Sequence, residues 1–313
     1  MRSVLAQEYP SDKYETIIID DGSTDGTKEV VDSLGRNHKL KYIKQPHKGV
    51  SAARNEGIRQ SKGNIVAFLA DDYSLPSHYV QKIIEFFGSN PEAKVVCCDI
   101  KNYDKAIVAR ALQHYYAVSI RNILSRNSSF NSGNFISFIS KLFIKLPGFE
   151  NGLFVSYDLP ASGAAAFRRQ VFNNNGVFDE KLRSAEDSDM GFRLKAAGIK
   201  IYYNPFIKIS HTHSLSLKEG LIKYFNRGED IYDLKIKNPK HYIRSVDSFQ
   251  NRLFYLLNIL FEPIWRARQA DSVKDFFLFW PIMFLINLSF TTGIFCRRVH
   301  CRDKCHKKTP KEK

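Results

Sequence analysis

Three short acidic clusters, one arginine and one histidine carry most of the chemistry open to this chain. Asp20-Asp21-Gly22-Ser23 sets two carboxylates beside a glycine and a hydroxyl. A carboxylate at a strand end can accept hydrogen bonds from a base N–H or from ribose hydroxyls. The same residues also suit a helix N-cap, since Asp and Ser favour that position. In Gly49-Val50-Ser51-Ala52-Ala53-Arg54-Asn55 the small residues allow close helix packing. Arg54 can meet a phosphate with its planar fork, or lie exposed on an amphipathic helix. Asp71-Asp72 closes the apolar Phe68-Leu69 run through Ala70. Such acids suit Mg2+ or Mn2+, hard cations that keep positions open for a diphosphate; they equally suit a turn and helix cap before Pro76. In Glu186-Asp187-Ser188-Asp189 a carboxylate at a helix start can take a proton from a hydroxyl, or the acids can complement the helix dipole. His211 ends a strand and offers a third metal ligand, with His213 two residues on.

These groups need strand ends and helix starts to hold them. Thr16 to Asp20 is an apolar, β-branched run that reads as a buried strand. Leu40 to Lys44, Asn64 to Leu69 and Ala93 to Asp99 read as further strands, with helices from the Asp25 turn toward Leu34, over Val50 to Gln60 and from Pro76 through Phe87. Strands alternating with helices at this pitch imply a mostly parallel sheet with helices on both faces. Ligands bind such sheets at the carboxyl ends of the strands, where Asp20, Asp21, Asp71 and Asp72 all fall. Residues 103–158 read as a helical and loop insertion. Ser162 to Phe167 is a small-residue strand, Ala185 to Ala197 a helix stopped by Gly198. Lys200 to Tyr203 and Ile207 to His211 are two strands, and Leu215 to Leu234 is a polar helix.

The chain has 313 residues, 43% hydrophobic and 25% charged, the balance of a globular protein. That length allows one large α/β domain plus an appendage. The net charge of +15 would attract phosphorylated substrates or anionic lipid. Zinc-finger spacing, RNP-type aromatic motifs and a basic helix running into heptads are all missing, which argues against nucleic acid. The five cysteines fit no zinc pattern and are expected to be reduced thiols in a cytosolic compartment. Met1 leads directly into Arg2-Ser3-Val4-Leu5 with no long apolar core, so a signal peptide is not expected. Phe276 to Phe295 carries no charge and has about the length that spans a bilayer, although Pro281, Asn287 and Gly293 weaken it. A Lys- and Arg-rich tail follows.

In order and spacing, these motifs resemble the family-2 glycosyltransferases of the GT-A fold. The resemblance rests on Ser3-Val4-Leu5-Ala6-Gln7 with Tyr9-Pro10, and on Ile19 to Thr27. It continues through Gly49 to Asn55 with Gly57, Gly63, Phe68-Leu69 and Asp71-Asp72. It closes with Gly176-Val177-Phe178-Asp179-Glu180, Glu186-Asp187, Arg193-Leu194, Gly198 and His211. It covers roughly residues 1 to 235. It implies a Rossmann-like GT-A domain over 1–235; hydropathy and charge set an apolar helical membrane-associated segment over 236–298 and a basic tail over 299–313 beside it. It also implies inverting transfer of a sugar from a nucleotide-diphosphate donor to a hydroxyl acceptor. Asp20, Asp21, Ser23, Arg54, Asp71 and Asp72 would bind the donor, Asp72 and His211 would hold Mg2+ or Mn2+, and Asp187 would be the base supported by Glu186. The Lys223-Tyr224-Phe225 and Arg227-Gly228 region leans toward members that build surface polysaccharide or glycolipid, with a saccharide or lipid-linked acceptor.

Two departures from the family pattern stand out. Family members normally begin with a further Val/Ile-rich strand, and this chain starts after it; Ala70 replaces the first acid of the DXD motif. They leave a second class open, a catalytically inactive relative that binds carbohydrate or a partner. Because nucleotide sugars are cytosolic and the tail is basic, the apolar segments are expected to dock on the cytoplasmic face of an anionic membrane rather than span it. A single span and a buried soluble helix are the alternatives.

Overall fold

A computed structural model describes residues 1–35, 40–102, 105–125, 153–156, 162–211, 215–237, 249–270 and 272–306. The chain divides into two compact units, one of residues 1–103 and 148–213, the other of residues 104–147 and 214–313.

The first unit holds helix α1 (Arg2–Leu5), strand β1 (Thr16–Asp20), α2 (Thr27–Gly35), β2 (Leu40–Lys44), α3 (Val50–Gln60), β3 (Ile65–Ala67), β4 (Tyr73–Ser74), α4 (Tyr79–Ser89) and β5 (Val95–Asn102). After the segment that belongs to the second unit come β6 (Phe154–Ser156), β7 (Ala165–Arg168), α6 (Gln170–Asn175), α7 (Glu186–Ala196) and β8 (Ile201–His211). β1 and β2 pair in parallel from Thr16↔Leu40 to Asp20↔Lys44. The other strands form a mixed sheet in the order β3-β7-β5-β8-β4, with β6 also on β8. Within it β5 and β8 run parallel, while β3–β7, β5–β7, β4–β8 and β6–β8 are antiparallel.

The apolar run Val95-Val96-Cys97-Cys98 is at most 1% exposed along its length, so this strand is covered on both faces, as a central strand should be. Ala165, Ala166 and Phe167 beside it are equally enclosed. Phe68 meets Phe167, Phe172 and Phe178 edge-on with ring centroids 5.7, 6.0 and 5.5 Å apart, a favoured aromatic geometry. The residues read as two strands, 200–203 and 207–211, form one. Cys98 pairs with Asn204 but Asp99 with Lys208, so three extra residues bulge out of β8. Pro205 lies among them and has no N–H to give the ladder.

The second unit is helical: α5 (Ile107–Ser125), α8 (Leu217–Lys237), α9 (Phe249–Arg268) and α10 (Val273–His306). Its centre is Ala111, Ala267, Phe279 and Met283. The division differs from a boundary at 235. The polar helix α8 groups with α10, and residues 104–147 join it, because apolar and close backbone contacts outweigh sequence order. α8 and α10 touch at two glycines: a Cβ at Gly228 would strike the carbonyl oxygen of Phe290, and one at Gly293 that of Phe225.

Candidate active site

The nearer half of the site is the turn after β1. The Asp20 carboxylate accepts from the Ser23 N–H at 2.7 Å and from the Tyr42 hydroxyl. These bonds, the Tyr42 one foremost, lower its carboxyl from 3.8 to about 2 and raise the Tyr42 hydroxyl to about 12. Asp21 binds the loop before α3. It accepts from Gln45 Nε2 at 2.6 Å, from Lys48 N at 2.9 Å and from Gly49 N at 2.8 Å, and pairs with His47 Nδ1 at 2.9 Å. Partial burial works to raise its carboxyl, and the bonds from Gln45, Lys48 and Gly49 overcome that, so the net shift is downward. Gly22 between them sits at φ +87°, where a Cβ would crowd His47 N; the turn therefore requires glycine. Asp21 thus tethers the start of α3, not of α2, as the cap reading had supposed.

Arg54 sits about 7.5 Å further along α3 at the usual rise. It pairs with Glu186 at the start of α7, and its guanidinium lies 5.4 Å over the Phe178 ring. Gly163 packs closely here: a Cβ on it would lie 3.5 Å from Arg54 Nη2 and 3.9 Å from Ala70 Cβ. Arg54, Glu186 and the turn that leads to Asp72 are therefore neighbours. Asp72 Oδ2 stands 2.9 Å from His211 Nε2, brought there by the antiparallel pairing of Tyr73 with His211. Asp187 follows Glu186 in the first turn of α7, its Oδ1 accepting from Ser188 N at 2.8 Å. Ala185 before them is fully buried at φ 65°, a left-handed conformation that costs a non-glycine residue about 1–2 kcal/mol.

Tyr73 joins these groups. Burial first, then the Asp72 carboxylate, push its hydroxyl up to about 12; Asp187 adds to the rise and Arg54 opposes it. Its ring meets that of His211 edge-on at 5.5 Å. The hydroxyl stays protonated at neutral pH and is a donor in the midst of the charged groups. Asp71 is exposed on the turn, and His213 lies outside the described residues. Tyr42, Gln45, His47 and Tyr73 were not among the residues singled out from sequence; nothing in their spacing marks them.

Other matching motifs prove to be props. Asn55 donates to Phe178 O at 2.9 Å and Glu180 Oε1 at 2.8 Å, and accepts from Phe178 N at 2.9 Å. Arg193 reaches from α7 to the carbonyls of Asn175, Gly176 and Val177. Gln7 donates to Pro76 O at 2.9 Å and accepts from Val80 N at 3.0 Å, supporting the segment that follows Asp72. Among the described residues no three His, Cys, Asp or Glu side chains converge as a metal cage.

The sequence profile of glycosyl transferase family 2 matches residues 1–147. Over that stretch the chain is similar to the members of that family. Staphylococcus epidermidis poly-beta-1,6-N-acetyl-D-glucosamine synthase is 32% identical over 147 residues, 46% of this chain and 35% of that protein. The O-antigen chain rhamnosyltransferase WbaN of Salmonella anatum is 28% identical over 224 residues, 71% of this chain and 64% of that protein. The chain thus spans less than two thirds of either relative. The mannosyltransferase PcManGT of Pyrobaculum calidifontis, solved with GDP-Man and Mn2+, superposes with a TM-score of 0.60 at 16% identity, over 94% of this chain and 81% of that one. The fold of this chain is accordingly GT-A, with an apolar C-terminal helix added.

Proposed function

We propose that this chain transfers a sugar from a nucleotide-diphosphate donor to a hydroxyl acceptor, with inversion at the anomeric carbon. The observation that carries this reading is that Arg54 pairs with Glu186, the neighbour of Asp187 at the start of α7, while Asp72 meets His211 at 2.9 Å beside Tyr73, whose hydroxyl feels Asp72, Arg54 and Asp187. Asp187 takes the acceptor's proton. The acceptor oxygen forms its bond to the anomeric carbon as the bond to the diphosphate oxygen breaks, and the electron pair leaves with the nucleotide diphosphate. Arg54 meets that growing charge, once the donor competes with Glu186 for its guanidinium. Asp20, Asp21 and Ser23 hold the turn against which the nucleoside lies.

Asp72 and His211 pair a hard carboxylate with an imidazole, a donor set that suits Mn2+ or Mg2+ when phosphate oxygens complete the shell. Those two residues would hold the ion, which would supply charge neutralisation on the departing diphosphate. The GDP-Man and Mn2+ bound to PcManGT support this assignment, and the two bacterial relatives named above support a surface polysaccharide or glycolipid product. A saccharide or lipid-linked acceptor on the cytoplasmic face of the cell membrane completes the reading.

The test is calorimetric titration with UDP-, GDP- and dTDP-sugars, with and without Mn2+, beside a transfer assay on the donor that binds. Asp187→Asn is expected to lower transfer by about 10²–10⁴-fold, the range for losing a general base, while donor affinity stays within twofold of the parent, roughly the scatter below a 1 kcal/mol effect. Asp72→Ala should abolish the Mn2+-dependent part of donor binding. Transfer that survives Asp187→Asn removes Asp187 as the base. A second reading, donor binding without turnover, draws on Ala70 in place of a carboxylate; metal-dependent binding with no transfer by the unaltered chain would favour it.

A further inference from the structure

We propose that α10 lies along an anionic lipid bilayer surface, immersing one apolar stripe, and does not cross the membrane. This extends the membrane-face reading above but rests on the helical unit alone, so it stands or falls apart from the transfer chemistry. Phe277, Trp280, Leu285, Leu288, Phe295 and Val299 are between 38% and 65% exposed. Counted from Phe277 they fall three, eight, eleven, eighteen and twenty-two residues on, with the exposed Pro281 at four, which at the helical period keeps them on one broad face. From Phe277 to Val299 the stripe runs about 33 Å. No Asp, Glu, Lys or Arg interrupts the helix from Phe276 to Cys296.

The rest of the helix circumference is taken. Phe279 and Met283 pack with Ala111 and Ala267, and Arg110 pairs with Asp275 at 2.5 Å. Further along, Gly293 meets Gly228 of α8 with no side chain between, Ser289 donates to Leu221 O at 2.7 Å, and Arg297 grips Asp233 at 2.9 Å. These contacts advance together along both helices, so α8 and α10 run in the same direction. In its 21 residues α8 carries nine charged side chains, from Lys218 to Lys237. A bilayer-crossing α10 would take that helix into hydrocarbon with it, where charged side chains are strongly disfavoured. A helix with one greasy face and a charged companion behind it is the form of an interfacial element.

The occupant is read from charge and side-chain type. From Arg297 to Lys313 the sequence holds eight Arg and Lys against Asp303 and Glu312, a juxtaposed basic run of the kind that anionic head groups attract. Trp280 has the amphipathic ring favoured at head-group depth.

The full chain would be sedimented with phosphatidylcholine vesicles containing or lacking phosphatidylglycerol, at low and high salt. Binding is expected to need phosphatidylglycerol and to weaken with salt. Tryptophan emission should shift to the blue on binding; of the two tryptophans Trp265 is only 3% exposed, so the shift reports Trp280. Phe277→Ser and Phe295→Ser should each weaken partition by about tenfold, the scale of removing a large apolar side chain from lipid. Their melting temperatures should stay at the parent value, which separates lost docking from lost folding. Alkaline carbonate should release the chain from cell membranes. The proposal is overturned by partition indifferent to phosphatidylglycerol or to both variants. It is also overturned by retention through the carbonate wash, which would mark a span, or by a dimer that Phe277→Ser dissociates and that ignores vesicles.

Discussion

At the scale of single residues, the acids recognisable by type do unlike work. Asp20 is held by Tyr42 and Ser23 well below the ordinary carboxyl value of 3.8, at about 2. A carboxyl lowered in the folded state stabilises fully above its unfolded pKa, and that contribution is lost as pH falls through the folded one. The fold should therefore lose stability between about pH 4 and pH 2, and Asp20→Asn should flatten the loss; circular dichroism across that range measures both. Tyr73 gives a different prediction. Its hydroxyl, pushed up to about 12, remains a donor throughout the neutral range, so Tyr73→Phe should slow transfer without moving the pH profile between 6 and 8, about the window in which an unperturbed histidine titrates. Asp20, Asp21, Arg54 and Asp187 stand out in the sequence only as a set, because each alone equally suits a cap, a helix dipole or a solvated face. Tyr42, Gln45 and Tyr73 could not, since each gains its meaning only from a partner that tertiary structure supplies.

At the scale of elements, legibility followed local signal. β1 was readable because Thr16-Ile17-Ile18-Ile19 is a β-branched run bounded by turn residues, and α3 because its small residues and Gly49 set its start. β8 was read as two strands because Asn204-Pro205 looks like punctuation; the ladder absorbs it as a bulge instead. α6 carries too weak a pattern to see in six residues. The aromatic cluster around Phe68 links β3, β7 and the Phe178 loop on which Arg54 rests. Phe68→Ala should cost about 3–5 kcal/mol, the usual range for emptying a buried Phe site, visible as a lower melting temperature. Asn55→Ala should cost about 1–3 kcal/mol by leaving the Phe178 backbone without its partner, and should weaken donor binding too, because that loop supports Arg54.

At the scale of the molecule, every donor-site residue lies within the first unit and every apolar stripe residue within the second. Gly228→Val should therefore destabilise the helical unit by about 1–3 kcal/mol through overpacking against Phe290 and leave nucleotide binding at the parent value; calorimetric melting and donor titration of one preparation test both. The bulge in β8 has its own consequence for how this chain can change length. The three residues between Asn204 and Lys208 stand outside the ladder, and the extra residues of a bulge are unpaired. The strand beyond them takes its register from its partners, which hold Lys208 opposite Asp99 and His211 opposite Tyr73. Changes of length confined to the bulge should accordingly leave His211 beside Asp72, a rule that a small deletion series scored by donor binding would expose.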